Sequence, residues 1–119
     1  MKEIDNSFIN NSNDDLLEQG KLYYKDDNYE EAIIYFKNAS ELFPNNFDNW
    51  YWLDRSYNNN GNYEEAIRCL KKAVELKDND WNNWYFLGTA YSLNDNYEEA
   101  VKCFKKVKEL NPNSEDFYK

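Results

Sequence analysis

Apolar and polar positions along the chain follow a helical period. In the middle third, Trp50, Leu53 and Tyr57 stand at i, i+3 and i+7, which places them on one face of a helix. The next stretch has apolar side chains on one side and charged side chains on the other. Its apolar side comprises Tyr63, Ala66, Ile67, Leu70, Ala73 and Leu76. The two stretches predict a pair of amphipathic helices joined by the short polar segment at residues 58–62.

The start of the second helix of this pair recurs. The sequence NYEEA stands at residues 28–32, 62–66 and 96–100, and both differences, 62 − 28 and 96 − 62, are 34. A period of this length is typical of stacked helical repeats. In each copy the Asn is an expected N-cap for a first-turn N–H, and the Glu three residues later can reach back to the cap. The pattern therefore predicts a tandem array of helix pairs.

The period divides the chain into repeats at residues 13–46, 47–80 and 81–114. Residues 1–12 are polar apart from Ile4, Phe8 and Ile9, and we expect a mobile tail there. Residues 115–119 are similar to the openings of repeats two and three, because Tyr118 stands one period after Trp84. We therefore expect this segment to be the start of a truncated fourth helix pair or a C-terminal tail.

The residues of repeat three resemble the signature of the tetratricopeptide repeat (TPR) family. The matching residues are Trp84-x2-Leu87-Gly88-x2-Tyr91, then Ala100-x3-Phe104, then Pro112. Repeat two has Asp54 where the family has a small residue, and repeat one has Leu16 and Gln19 in place of Trp and Leu. The resemblance implies an all-α, right-handed superhelical solenoid of three helix-turn-helix (TPR) repeats whose first helices line a concave groove. About 70% or more of the residues should be helical, with no strands, well above the average for globular proteins.

The predicted core combines the apolar stripes of the helices with the residues that carry the resemblance. It comprises Trp50, Leu53, Tyr57, Ala66, Leu70, Trp84, Leu87, Tyr91, Ala100 and Phe104. The second helix of repeat three also carries Val101, Phe104 and Val107, and no helix follows to cover them. We therefore expect a fragment of a longer solenoid, or an open end that packs against another copy and gives a homo-oligomer.

The charge of the chain argues against two classes of ligand. The chain has 23 acidic and 14 basic residues, for a formal net charge of −9. This balance opposes binding to nucleic acid or to an anionic membrane, because both need clustered cations. No segment has the apolar core of a signal peptide or the length of a membrane span. We therefore expect a cytoplasmic protein with a protein or peptide partner.

Residues that could carry chemistry are scarce. The chain has no histidine, and the many carboxylates are explained by helix caps and solvated faces. Cys69 and Cys103 stand one repeat apart, which is too far for a disulfide and the wrong spacing for zinc. We expect semi-buried thiols in a reducing compartment. We expect no enzymatic activity, no metal and no cofactor.

The first helix of each repeat carries a second set of side chains opposite its core-facing stripe. At 100° per residue, this set is predicted to line the concave groove. Its members are Lys21, Tyr24, Tyr51, Trp52, Arg55, Asn59, Tyr85, Phe86, Thr89 and Leu93. Aromatic residues on a face that should be polar indicate a surface that a partner covers. For Trp52 and Phe86 an alternative is open, in which the rings partly bury against the second helix of a neighbouring repeat.

One TPR subgroup binds the acidic C-terminal tails of heat-shock chaperones through a clamp of Lys, Asn and Arg. The matching positions here are Leu17, Lys21, Trp52, Asn82 and Phe86, three of which are apolar. We therefore expect the clamp to be absent. The sequence predicts a protein–protein interaction scaffold that binds an apolar or aromatic peptide or helix in its groove. The alternative is a structural, self-assembling segment of a longer TPR solenoid or multidomain protein.

Overall fold

Six α-helices account for the fold of the part of the chain that the structure describes. In the computed structural model, which describes residues 12–113, they are α1 (Asn13–Lys25), α2 (Tyr29–Leu42), α3 (Phe47–Asn59), α4 (Tyr63–Leu76), α5 (Trp81–Leu93) and α6 (Tyr97–Leu110). About 79% of the described residues are helical and none of them forms a strand, which confirms the predicted all-α class. The expected tail before residue 12 and the segment around Tyr118 lie outside the described residues.

The helices stack in chain order. The principal contacts join each helix to the next one in sequence, so that α1–α2, α3–α4 and α5–α6 form three helix-turn-helix pairs. The stack is elongated, with extents of 46 × 24 × 22 Å. These pairs confirm the predicted solenoid. α2 and α6 end two residues before Pro44 and Pro112, which cannot continue a helix.

The recurring NYEEA segment begins the second helix of every pair. α2, α4 and α6 all start at its Tyr, directly after the Asn, as the pattern predicts. In repeat one the Asn28 side chain accepts a hydrogen bond from the Glu31 N–H at 3.4 Å. The predicted cap hydrogen bond is therefore present in the first copy.

The other two copies are capped differently, and the predicted bond is wrong for them. The Asn62 side chain accepts no first-turn N–H; it accepts the amide N–H of Asn60 at 2.8 Å. Asn96 makes the same bond with Asn94 at 3.0 Å. The equivalent position in repeat one is Asp26, which has no amide N–H to donate. In repeats two and three the side-chain oxygen of the N-cap Asn therefore accepts from a neighbouring Asn amide, and not from an N–H of the first helical turn.

The turn inside each pair needs one residue in the left-handed region. Asp27, Gly61 and Asp95 occupy this place, with φ of 62°, 82° and 64°. Glycine adopts this conformation without steric cost, whereas other residues are strained there. In repeats one and three the aspartate accepts a hydrogen bond from a tyrosine two residues later, Tyr29 or Tyr97, at 2.9 Å. These bonds help to hold the strained backbone.

Two apolar clusters lie between successive repeats. The first, between repeats one and two, is built on Leu17, Ala32, Phe36, Leu53 and Cys69. The second, between repeats two and three, is built on Ile67, Leu70, Val74, Leu87, Ala90 and Cys103. Of the ten predicted core residues, the five aliphatic ones are buried. The five aromatic ones are half-buried.

The two helices of repeats one and three approach each other at a glycine. A Cβ atom on Gly20 would clash with the ring of Phe36, and one on Gly88 would clash with the ring of Phe104. Glycine is therefore required at both places because a ring from the second helix fills the space of its side chain. The pairing explains why a small residue and a Phe stand together in each of these repeats.

In repeat two, different residues form the equivalent contact between the two helices. Asp54 and Leu70 stand one period from the glycine and the phenylalanine of its neighbours, and both are buried. One carboxylate oxygen of Asp54 accepts the Asn58 amide at 3.2 Å, and the other has no hydrogen-bond partner. Burial raises the pKa of Asp54 well above its usual value, and the charge of Arg55 only partly offsets this effect. A buried carboxyl is thus part of the core.

Buried asparagines connect the repeats, and sequence reasoning missed them. Asn49 is fully buried and donates to the carbonyls of Ala39 (3.1 Å) and Phe43 (3.0 Å) at the end of α2. Asn83 donates to the Lys77 carbonyl at 2.8 Å. Both side chains therefore satisfy carbonyls at a helix C-terminus. The available signal was an Asn-Trp pair that recurs one period apart, at residues 49–50 and 83–84.

The outer face of α6 differs in part from the expectation. Val101 is 51% exposed and Phe104 is half-buried, but Val107 is fully buried. Val107 therefore belongs to the core of repeat three and needs no further cover. Val101, Phe104, Lys105, Lys108 and Glu109 line a shallow hollow of about 570 Å³ on this face.

Candidate partner-binding surface

A continuous series of ring contacts joins the first helices of the three repeats, α1, α3 and α5. Tyr24 of α1 contacts Trp52 of α3 with ring centroids 5.3 Å apart, and Trp52 contacts Tyr51 at 5.5 Å. Tyr51 contacts Phe86 of α5 at 6.1 Å, and Phe86 contacts Tyr85 at 5.6 Å. We call these five residues the aromatic ladder. It brings residues from all three repeats onto one surface.

The rings of the aromatic ladder meet edge to face. The interplanar angles of its four contacts run from 62° to 87°. This arrangement is favoured by the ring quadrupoles and contributes about 0.5–1.5 kcal/mol per pair beyond the burial of area. The aromatic ladder is therefore held in place by its own contacts before any partner arrives.

The two central rings are half-buried, as the alternative expectation had it. Trp52 stacks on Phe36 of α2, with ring centroids 5.9 Å apart, and packs against the first apolar cluster. Phe86 packs against the second cluster. Tyr51 and Tyr85 are also half-buried but belong to neither cluster. The surface therefore consists of half-exposed rings.

Two cations lie over the aromatic ladder. The Lys21 ammonium is 5.1 Å from the centroid of the Trp52 ring. The Arg55 guanidinium is 4.8 Å from the centroid of Phe86 and 5.6 Å from that of Tyr51. Such cation–π contacts contribute about 0.5–1 kcal/mol at exposed sites and more when they are desolvated. Both cations therefore lie against rings of the aromatic ladder.

The surroundings of Arg55 favour the charged form of its guanidinium. Partial burial disfavours the charged form, but a hydrogen bond to Tyr24 and the nearby Tyr51 and Asp54 outweigh this effect and raise the pKa of Arg55 above its usual value. Tyr24 also accepts a hydrogen bond from the Asn59 amide at 2.8 Å. Eight of the ten predicted site residues are thus brought together, namely the aromatic ladder with Lys21, Arg55 and Asn59.

The other two predicted residues lie towards the end of α5. The Thr89 hydroxyl donates to the Tyr85 carbonyl of its own helix at 2.9 Å. The Leu93 side chain is 51% exposed. Contact of the ten residues with a partner stays a prediction.

Leu22 is a surface residue that sequence reasoning missed. It is 57% exposed and lines a hollow of about 490 Å³ together with Tyr24 and Trp52. The equivalent residues of the later repeats, Ser56 and Ala90, are small and fully buried between repeats. A Leu at a place that holds small residues elsewhere was the signal. It extends the apolar surface beyond the first end of the aromatic ladder.

The ion pairs of the described residues lie away from this surface. They are Arg68–Glu65, Lys72–Glu75, Lys102–Glu99 and Lys106–Glu109, all within α4 or α6. Each joins residues three apart on an exposed helix face, where such pairs contribute little to stability. Within residues 12–113, Lys21 and Arg55 therefore have no carboxylate in an ion pair.

The described residues contain few groups that could support catalysis or metal binding. Cys69 and Cys103 are free and buried, and burial raises their pKa to about 12 and about 11. Both thiols are therefore protonated at neutral pH and are poor nucleophiles. Residues 12–113 contain no group of three or more His, Cys, Asp or Glu that could hold a metal ion. Across the same part of the chain, every helix is too short or too polar to cross a membrane.

Comparison with protein families gives one match. The model described as "RMD1-3: Regulator of microtubule dynamics protein 1-3" matches residues 21–80 and again residues 59–117. The two matches overlap because each spans neighbouring repeats. No curated protein sequence matches the chain.

Solved structures with a similar fold are numerous. The structure named "MamA MSR-1 C2" is 27% identical with a TM-score of 0.79, and the match covers 87% of this chain and 59% of that one. The first TPR of Spaghetti (RPAP3), solved bound to the HSP90 peptide SRMEEVD, is 26% identical with a TM-score of 0.79, covering 86% and 81%. YrrB, described as a TPR protein, has a TM-score of 0.81 at 21% identity, covering 87% and 54%. The chain therefore has the TPR fold and spans about three-fifths of the MamA structure.

Proposed function

The chain belongs to the regulator of microtubule dynamics protein 1-3 family and has the TPR fold, and on this premise we propose that it is a protein–protein interaction scaffold. The partner segment lies along the aromatic ladder. The observation that carries the proposal is the unbroken series of ring contacts from Tyr24 to Tyr85 across three helices. Aromatic residues clustered at the centre of a surface commonly dominate binding energy.

The proposed ligand is an apolar or aromatic peptide or helix. Half-exposed rings held rigidly by each other lose little conformational entropy on binding, which favours association. The first TPR of Spaghetti, which resembles this chain, was solved with a peptide bound. At two of the clamp positions, Leu17 is buried and Phe86 is a ring, and neither has a side-chain hydrogen-bond donor for a carboxylate tail. We therefore propose a ligand other than an acidic C-terminal tail.

What the family contributes is the repeat scaffold. Its description concerns microtubule dynamics, but the two matched segments consist of the repeats themselves. The repeats supply the binding surface, and the partner is left to experiment. We propose that the protein is cytoplasmic, a compartment in which its two buried thiols would stay reduced. The proposed role is binding without catalysis.

Self-association is a second candidate function. It is favoured by the hollow of about 570 Å³ on α6, which Val101 and Phe104 line with apolar surface. Val101→Ser should make this face polar without touching the buried Val107. Sedimentation velocity at several concentrations would test the candidate. If wild type and Val101→Ser show the same concentration-independent mass, this face does not drive association.

Peptide selection tests the main proposal. A library of random 12-residue peptides displayed on phage would be selected against the immobilised wild-type protein. Trp52→Ala/Phe86→Ala should lose the selected peptides, since truncating central aromatic anchors typically costs about 2 kcal/mol or more per residue. Helix content by circular dichroism confirms that the variant is folded.

A milder variant separates binding from stability. Tyr51→Ala/Tyr85→Ala removes two ladder rings that belong to neither apolar cluster, so it should fold as wild type and bind the peptides weakly. Tyr97→Ala removes a tyrosine outside the aromatic ladder and is the control. Equal peptide binding by the wild type and the folded ladder variants would exclude the aromatic ladder as the binding surface.

A further inference from the structure

Arg55 occupies the middle of the aromatic ladder. Its guanidinium lies against Tyr51 of its own helix and Phe86 of the next repeat, so it spans the junction of repeats two and three. The side chain is half-buried. Two aromatic rings from successive repeats therefore lie against one cation.

No carboxylate forms an ion pair with this cation within residues 12–113. The four ion pairs of that part of the chain all lie within α4 and α6. The adjacent Asp54 is fully buried, and its carboxylate accepts a hydrogen bond from Asn58 instead. The lack of an ion pair is notable because acidic residues outnumber basic ones by 23 to 14 in the whole chain.

A guanidinium in this position is suited to bind a carboxylate. Stacking on rings uses the face of the guanidinium, whereas its five N–H donors lie in its plane. A partner carboxylate can accept two parallel hydrogen bonds from that plane. Partial burial weakens competition from water and makes each bond stronger. Because the rings already fix the side chain, less entropy is lost when the bonds form.

We propose that Arg55 is a specificity-determining residue that binds one Asp or Glu side chain of the partner, placed between apolar residues that contact Trp52 and Phe86. The proposal rests on the proposed function and names the chemistry of its ligand. The pairing supplies the ion pair that Arg55 does not form within residues 12–113. It differs from recognition of a C-terminal tail, because the carboxylate belongs to an internal side chain.

The peptides selected on the wild-type protein provide the first test. They should be enriched in one Asp or Glu with aromatic or aliphatic residues on both sides. The same library selected on Arg55→Gln should lose this acidic enrichment while it keeps the apolar residues. Arg68→Gln is the control, because it removes an exposed cation of α4 that lies outside the aromatic ladder. Its selected peptides should match those of the wild type.

A thermodynamic cycle provides the second test. One selected peptide would be synthesised with acetylated and amidated ends, together with its Asp→Asn (or Glu→Gln) version, so that the side chain is the only carboxylate varied. On the wild-type protein this change should weaken binding about 10- to 100-fold, as expected for hydrogen bonds to a charged group. On Arg55→Gln the two peptides should bind equally. Arg55→Lys should recover only part of the difference, because an ammonium cannot bind a carboxylate in bidentate fashion.

The outcomes separate this inference from the proposed function. Wild-type peptides without acidic enrichment, or an amide peptide that binds as tightly as the acid, would overturn the role of Arg55 and leave the aromatic ladder as the binding surface. If no peptide is selected on the wild type, or if the ladder variants bind as well as the wild type, the proposed function itself fails. The comparison of acid and amide peptides on the wild type stays decisive even if Arg55→Gln loses helix content.

Discussion

A Cβ atom on Gly88 would lie 2.8 Å from Cε1 of Phe104, closer than two non-bonded carbon atoms approach each other. The ring therefore occupies the space of the missing side chain, and the two helices of repeat three meet at this point. In repeat two the same places hold Asp54 and Leu70, where a smaller apolar residue stands opposite a larger partner. The size of one residue thus depends on the size of the other.

We expect Gly88→Ala to lower the free energy of unfolding by about 1–3 kcal/mol, because the new methyl overpacks the junction. Phe104→Leu in the same chain should recover part of this loss by opening the space that repeat two has. Urea unfolding of both single variants and the double variant measures the coupling. Strictly additive effects of the two substitutions would mean that the residues do not share this space.

Asp54→Asn should stabilise the protein at neutral pH. Burial raises the folded-state pKa of Asp54 above its unfolded value, so ionisation of this group opposes folding. The wild type should therefore come closest to the stability of Asp54→Asn below the unfolded pKa, where the carboxyl is protonated in both states. It should fall behind as the pH rises through the folded pKa.

Thermal unfolding of wild type and Asp54→Asn across a pH series measures this difference. Asp78→Asn, at an exposed position, is the matched control and should show a much smaller change. A difference in melting temperature between wild type and Asp54→Asn that does not change with pH would contradict the assignment.

At the left-handed turn of repeat two, we expect stability in the order Gly61, then Asp, then Ala. Gly61 has a φ of 82° and open space around its Cα, so Ala adds only backbone strain, on the order of 1 kcal/mol. Asp should cost less, because Tyr63 could donate to it as Tyr97 donates to Asp95. Urea unfolding of Gly61→Ala and Gly61→Asp measures the order, and Ala as the better substitute would refute it.

Ala66→Leu should lower the free energy of unfolding by about 1–3 kcal/mol, because Ala66 is fully buried between the helices of repeat two. Lys71→Leu adds a Leu to an exposed position of the same helix and is the control. Differential scanning calorimetry compares the two variants. If Ala66→Leu melts at the temperature of the wild type, Ala66 is not closely packed between the two helices.

Helix positions could be predicted because they depend on local pattern. The recurring Asn before Tyr29, Tyr63 and Tyr97 marks three helix starts, and the apolar period marks the rest. The capping bond of Asn62 could not be predicted in the same way. Its acceptor oxygen is also within reach of the Asn60 amide, and the outcome depends on a balance between two hydrogen bonds of similar strength.

The surface was harder to predict than the helices. The helical angle places Trp52 opposite the core stripe of its own helix, which indicates exposure. Its burial comes from Phe36 in the previous repeat, a contact that no single helix reveals. Asn49 is a similar case, because a polar residue counts as exposed until its carbonyl partners at the end of α2 are known. Contacts between repeats therefore determine the burial of both residues.

The packing of each helix mainly against its neighbours in sequence has a kinetic consequence. Contacts between residues close in sequence form with little loss of loop entropy, so a chain of this topology should fold fast for its length. Because the principal contacts among residues 12–113 join each helix to its neighbours in sequence, a helix pair at one end can open while the middle stays closed. Amide hydrogens of α3 and α4 should then exchange with solvent more slowly than those of α1 and α6, and the aromatic ladder would come apart from its ends inward.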